Sequence, residues 1–250
     1  MLILNETQFT EDLINKQLEF PYSTLSRTAF IKLLCRYYKT DENYYDKITE
    51  ILKFYFPQTF YKEQWVTRIK NEYNKCVKDD LCLTNRECIC IYQSDIEKVK
   101  ALDDIKLQKL LLTAMFLARF HDNEGWVGTY SIKEYGSLFK LANLSVTKDI
   151  KLSMINELYN LGFIAVGKKN TNVNLKIDLW HNDVVQMEIT DLQNIGNQYV
   201  AKFVSGWKMC TVCNKIFRTK STGRPPIYCN KCAIKINQEK TKENIKSKRS

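Results

Sequence analysis

Two Cys-x2-Cys pairs, Cys210 with Cys213 and Cys229 with Cys232, stand fifteen residues apart near the carboxyl end of the chain. No other feature restricts its folding so tightly. Four thiols at this spacing have three uses: a pair of disulfides, a redox dithiol, or one bound metal ion. The amino terminus, MLILNETQFTEDL, lacks the basic start and long apolar stretch of a secretory signal. No apolar run approaches the ~20 residues that cross a bilayer. The chain is therefore expected to be cytoplasmic, without a membrane partner, where thiols stay reduced and disulfides are disfavoured. One Cys-x2-Cys pair would suit a redox dithiol. Two at this separation suit structural zinc, because thiolates three positions apart reach one tetrahedral ion without backbone strain. The expected cofactor is one Zn2+ held by Cys210, Cys213, Cys229 and Cys232. Four thiolates leave no position for water, so the expected role is structural and not Lewis-acid catalysis.

The same end of the chain carries the charge. Residues 201–250 hold 13 Lys and Arg against two acids, Glu239 and Glu243, whereas residues 1–200 have a balance of −1. Four thiolates and one divalent cation would reduce the local +11 to about +9. A patch so basic, pinned by a metal, is an electrostatic footprint for a phosphate backbone. The residues expected to make that contact are Lys215, Arg218, Lys220, Arg224, Lys231 and Lys235, with a basic tail beyond them.

Only 8 Gly and 4 Pro interrupt the 250 residues, so a mostly α (α+β) protein is expected. Residues 1–100 read as a helical region. Phe30, Leu33, Leu34, Tyr37 and Tyr38 recur at helical spacing after a cap at Ser26 or Thr28. Tyr45, Ile48, Leu52 and Tyr55 repeat the pattern before Pro57, and Trp65, Ile69 and Tyr73 share one face. These aromatics are expected in a core. ECICIYQ alternates as a short strand, with Cys88, Cys90 and Tyr92 on one side and Ile89 and Ile91 on the other. Cys76, Cys82, Cys88 and Cys90 include no Cys-x2-Cys pair and, like Cys35, read as small hydrophobes, with a second metal site as the lesser alternative.

Residues 103–204 form a second module. DDIKLQKLLLTAMFLARF is expected to be a long amphipathic helix, and HDNEGWVG a turn. A second helix follows, capped by Ser131, with Ile132, Tyr135, Leu138 and Phe139 inward. A third has Ile150, Met154, Ile155, Leu158 and Leu161 inward and stops at Gly162. FIAVG, KKNTN and VNLKIDLW then read as strand, turn and strand. A strand over residues 184–189 and a short helix with Leu192, Ile195, Tyr199 and Val200 inward lead to Gly206. His121 and His181 lie at element ends and read as structural.

Three helices followed by a basic-tipped hairpin resemble a winged helix-turn-helix domain, and INELYNLGFI resembles the corner between its recognition helix and wing. The resemblance implies a third helix in the major groove, with Ser145, Thr147, Lys148 and Lys151 near bases or phosphates and Lys168 and Lys169 on the wing. No Arg stands in this helix, and Asp149 sits in its first turn, which argues against strong guanine readout. Residues 205–250, a knuckle, a hairpin with Ile216 as apolar plug, then a helix starting at Cys229 and Cys232, resemble a zinc-ribbon or treble-clef module. The order of GWVG, FKLANLSVT, INELYNLGFI, ITDLQNIG, CTVCNKIF and PPIYCNKCA resembles proteins carried by prophages and integrative elements of Gram-positive bacteria.

Two functions remain in view. The first is a zinc-containing DNA-binding protein of a phage or mobile element, serving replication or transcription, with DNA favoured over RNA. The second is an inhibitor that binds a host defence or nucleic-acid-processing protein complex, with the aromatic helices of residues 20–75 as docking surface. An enzyme is not expected. The chain has no Gly-rich phosphate loop, no His-Glu-x2-His, no nucleophile elbow and no paired carboxylates on one helix face.

Overall fold

A computed structural model describes residues 2–22, 25–58, 62–122, 124–129, 135–169, 172–179, 184–219 and 226–247. Ser131, Ile132, His181, Lys220 and Arg224 lie outside the described residues. The chain is of mixed α+β class and divides into two compact units, Met1–Cys88 and Ile89–Ser250.

The first unit is helical: α1 (Glu6–Ile14), α2 (Arg27–Tyr37), α3 (Tyr44–Tyr55) and α4 (Lys62–Lys78). Ser26 caps α2 by accepting a hydrogen bond from Ala29 N at 3.1 Å. Leu13, Phe30, Ile31, Leu34, Ile48, Leu52 and Ile69 are fully buried in one core. Phe20, Phe30, Tyr55 and Phe56 meet there mostly edge to face, the arrangement that ring quadrupoles favour. Of the aromatics expected in a core by their spacing, Phe30, Tyr55 and Trp65 are buried in it, whereas Tyr38, Tyr45 and Tyr73 are half-buried against it and Tyr37 is half-buried beside them. Tyr22 and Phe54 are exposed. No periodic pattern announces α1. Glu6 on that helix accepts two hydrogen bonds from Arg36 of α2, at 2.7 and 3.0 Å, and a third from Thr84 N. Cys35 and Cys76 are buried as expected, and burial pushes the Cys35 thiol up to about 12. Cys82 is exposed, contrary to the hydrophobe reading.

The second unit is built around α6 (Ile105–His121). Around it stand β1 (Ile89–Tyr92), α5 (Gln93–Lys100), β2 (Trp126–Thr129), α7 (Tyr135–Leu141), α8 (Lys148–Asn160) and α9 (Ile195–Phe203). Every residue from Leu107 to Arg119 except Gln108 is buried, so α6 is covered on all sides and is not amphipathic. Its two interior charges have partners. Arg119 donates to Asp95 of α5 at 2.6 Å, with the guanidinium over the Tyr92 ring, and Lys109 is held by groups of α7 and α9.

β1 pairs antiparallel with β5 (Val185–Ile189), placing Ile89 opposite Ile189 and Ile91 opposite Met187. These four are buried, whereas Cys90 and Tyr92 are half-buried, so the predicted alternation holds. A three-stranded antiparallel sheet has the order β2–β4–β3, with β3 (Ala165–Lys169) and β4 (Asn172–Lys176). Residues 126–128, expected in a turn, belong to an outer strand instead. Gly125, at φ +82°, turns the chain so that its carbonyl receives Ile177 N at 3.0 Å. A Cβ at Gly125 would lie 2.1 Å from the Ile177 oxygen.

α8 ends in a Schellman motif at Gly162: Gly162 N bonds Tyr159 O and Phe163 N bonds Leu158 O. Met154, Ile155 and Leu158 point inward as expected. Ile150 and Leu161 do not; they are 47% and 55% exposed. The helix meets α6 along one narrow side only, and both residues fall outside that arc. The last elements are β6 (Trp207–Met209), β7 (Ile216–Arg218) and α10 (Asn230–Ser247).

Candidate metal centre

β6 and β7 pair antiparallel, Met209 opposite Ile216. The hairpin thus brackets the first cysteine pair, whereas its expected place was between the two pairs. Cys210 follows β6 directly. Its N–H donates to Lys215 O, and Asn214, in the left-handed region at φ +56°, donates its N–H to Cys210 O. This tight turn aims both sulfurs to one side. Cys229 immediately precedes α10 and Cys232 lies in its first turn, so a helix amino terminus faces the second pair. Thr211 N bonds Ile227 O at 3.3 Å and closes one pair against the other.

The four sulfurs lie within 4.8 Å of one another, with Cys213 Sγ and Cys229 Sγ 3.8 Å apart. Thiolates about 2.3 Å from a tetrahedral ion stand about 3.8 Å from each other. The cluster therefore fits a four-sulfur metal site, and Cys210 and Cys232 are buried while Cys213 is exposed. Burial pushes the Cys210 thiol up, but N–H groups of Cys229, Val212 and Cys213 outweigh it and hold the thiol down at about 6. Burial, then hydrogen bonds with the other three sulfurs, push Cys232 up to about 12. Backbone N–H groups are thus aimed at the Cys210 sulfur, which favours its thiolate.

Of the residues expected to touch nucleic acid, Lys215, Arg218, Lys231 and Lys235 are exposed around the cluster, with the Arg218 guanidinium 5.9 Å from the Trp207 ring centre. Ser145, Thr147 and Lys148 are exposed at the amino end of α8. Lys151 instead leans back, its ammonium 5.6 Å from the Phe139 ring centre. Lys168 and Lys169 close β3; their side chains lie outside the described part. Asp149, Ser153, Asn156, Glu157 and Asn160 line a shallow depression along α8 with Leu152 and Leu161. The lining of this depression thus carries two acids and no base.

Sequence reasoning missed the polar network that ties this cluster to the helices. Asn143, at φ +55°, ends α7 in a second Schellman motif. Its carbonyl accepts from Lys109 Nζ at 3.0 Å, its Oδ1 from Asn197 N, and its Nδ2 donates to Asn194 Oδ1. Asn197 Oδ1 accepts a second Lys109 bond at 3.0 Å, and its Nδ2 donates to Asn214 O in the cysteine turn. Only glycine fits at 196, where a Cβ would stand 2.2 Å from Ala142 O and 2.7 Å from Lys109 Cε. The available signal was an Asn after α7, before α9 and in the cysteine turn, at positions 143, 194 and 214, where the left-handed conformation is cheapest for a non-glycine residue.

Burial pushes the Lys109 ammonium down to about 8 from 10.5. The folded chain then binds fewer protons than the unfolded one, so stability rises with pH between about 8 and 10.5. Below that window the desolvation cost is borne in full. Urea midpoints of wild type and Lys109→Met, followed from neutral pH to pH 10.5, should diverge in favour of wild type across it. Parallel curves would mean that water reaches this ammonium.

Among the described residues no helix is long and apolar enough to cross a membrane. Comparison of the chain with family models, curated proteins and solved structures found no match.

Proposed function

We propose that this chain is a zinc-containing DNA-binding protein whose cysteine module is its main grip on the phosphate backbone. The observation that carries the reading is the placement of exposed Lys215, Arg218, Lys231 and Lys235 around four clustered sulfurs. The ion would fix the two turns and the start of α10, so that the cations are presented at a set spacing without ordering long loops on binding. With all four positions taken by sulfur, its contribution is shape.

The order α6, β2, α7, α8, β3, β4, with β2 paired to β4, supports a winged-helix reading of the preceding residues. On that reading Ser145, Thr147 and Lys148 touch DNA at the head of α8, and the cysteine module holds the duplex at a second place. Linking two weak grips raises affinity through effective concentration. Asp149 and Glu157 on the outward side of α8 make this the weaker contact. Replication or transcription control in a phage or mobile element is the process such a protein suits.

A second reading, capture of a host protein complex, is favoured by one observation: Ile150, Tyr159, Leu161 and Val166 are all exposed on α8 and β3. The aromatic helices of the first unit are less suited to docking, since Phe30, Tyr55 and Trp65 are in its core and Tyr38, Tyr44, Tyr45 and Tyr73 are packed against it.

Anisotropy titrations with duplex DNA, single-stranded DNA and structured RNA across a salt series separate the two. DNA binding predicts tight duplex binding whose log–log salt slope falls by roughly 0.9 for each phosphate contact removed. It also predicts a shallower slope for a chain ending at residue 204. Weak binding to every nucleic acid, with recovery of one stoichiometric partner after nuclease treatment, would replace it with protein capture.

A further inference from the structure

α10 begins at the cysteine cluster and then leaves the rest of the fold. Cys232 is buried and Ala233 and Ile236 are half-buried, but every described side chain from Asn237 to Lys242 is exposed. A helix that is polar all round gains little from packing and is marginal on its own propensity. At 3.6 residues per turn, Lys231, Lys235, Gln238 and Lys242 fall within an arc of about 60° and extend over about 16 Å. Lys240 stands on roughly the opposite side, and Glu239 lies off the edge of the row. Lys231 and Lys235, one turn apart, repel, which is unfavourable unless the pair faces anions.

We infer that the Lys231–Lys235–Gln238–Lys242 face of α10 lies along the sugar-phosphate backbone of duplex DNA, with the cysteine cluster anchoring one end of the helix. The inference rests on the DNA-binding reading above and assigns it a surface. A lipid surface is a poor fit: Ile234 is the one exposed large apolar side chain described on α10, too little to enter a headgroup layer. The row carries three cations and no acid along about 16 Å, over several phosphate spacings, which suits a polyanion. Gln238, central in the row, adds a neutral donor to phosphate oxygen.

The test is a salt series with duplex DNA for the full metal-loaded chain, a Lys231→Gln/Lys235→Gln/Lys242→Gln triple variant, and Lys240→Gln. The triple variant should lose between two and three units of log–log slope, at about 0.9 per phosphate contact, while Lys240→Gln keeps the wild-type slope. Hydrogen exchange on the wild-type chain should show the amides of α10 slowing when duplex is added, which guards against a folding defect in the triple variant. A wild type that binds steeply and a triple variant with the same slope would overturn this surface and leave the DNA-binding reading intact. Equal loss per charge in both variants would mean that no face is preferred, and would also overturn it. No duplex binding by the wild type would remove both. A triple variant that loses slope on duplex RNA alone would make RNA the occupant.

Discussion

Replacing Asp95 by Ala is expected to destabilise the second unit by about 3–5 kcal/mol, because it strands the Arg119 charge in the interior. The Asp95 side chain is 0% exposed and that of Arg119 is 7% exposed. Asp95 also caps α5, where its Oδ2 accepts from Tyr92 N at 3.0 Å. Asp95→Asn keeps an acceptor for the cap but not the charge, so the gap between the two variants isolates the capping part, about 1 kcal/mol. An Asp95→Asn/Arg119→Met double variant should recover much of the loss, since replacing both partners of a buried pair with neutral groups removes the desolvation cost of both. Guanidinium denaturation followed by the fluorescence of Trp126 and Trp207 measures all three. A loss below about 1 kcal/mol for Asp95→Ala would mean that solvent screens the pair.

Removal of the metal should have the other large effect. The hairpin and the first turns of α10 have little core of their own: Cys210 and Cys232 are their buried apolar side chains, and Val212, Ile227 and Ile234 are exposed. The free energy of ion binding, about 10–16 kcal/mol for small structural zinc sites, would then supply their folding. Excess chelator, or Cys232→Ser, should lower the far-ultraviolet helical signal by roughly the share of α10. It should also weaken duplex binding at least tenfold, while α6 to α9 keep their own transition. Metal assay of the purified chain should give one zinc per molecule. Four thiols that react freely with a thiol reagent in the untreated protein, with no metal present, would dismiss the site.

What the sequence made legible follows the range of the interactions. The cysteine cluster was readable because its geometry is set by spacings of three residues and one loop. The stop of α8 at Gly162 was readable for the same reason. α6 was misjudged because Lys106, Lys109 and Arg119 look like a polar face in one dimension. Two of those charges are buried against Asp95, Asn143 and Asn197, whose positions only the tertiary fold brings close. β2 was hidden by Gly125 and Gly128, which punctuate it as a turn, and its partner β4 is far along the chain. α1 and α5 are short helices with few apolar residues. Their placement depends on Glu6 meeting Arg36 and on Asp95 meeting Arg119.

The pairing of β1 with β5 also governs time. About 90 residues separate the two strands, so at 5–20 residues per second β1 leaves the ribosome roughly 5 to 20 s before its partner exists. Through that interval Ile89 and Ile91 have no opposite strand, and α6 lacks α9, one of the elements that cover it. Closing so long a loop adds an entropic barrier that local helices do not face. Growth conditions that slow translation between Tyr92 and Val185 should therefore raise the aggregated fraction of newly made chain more than the same slowing before β1.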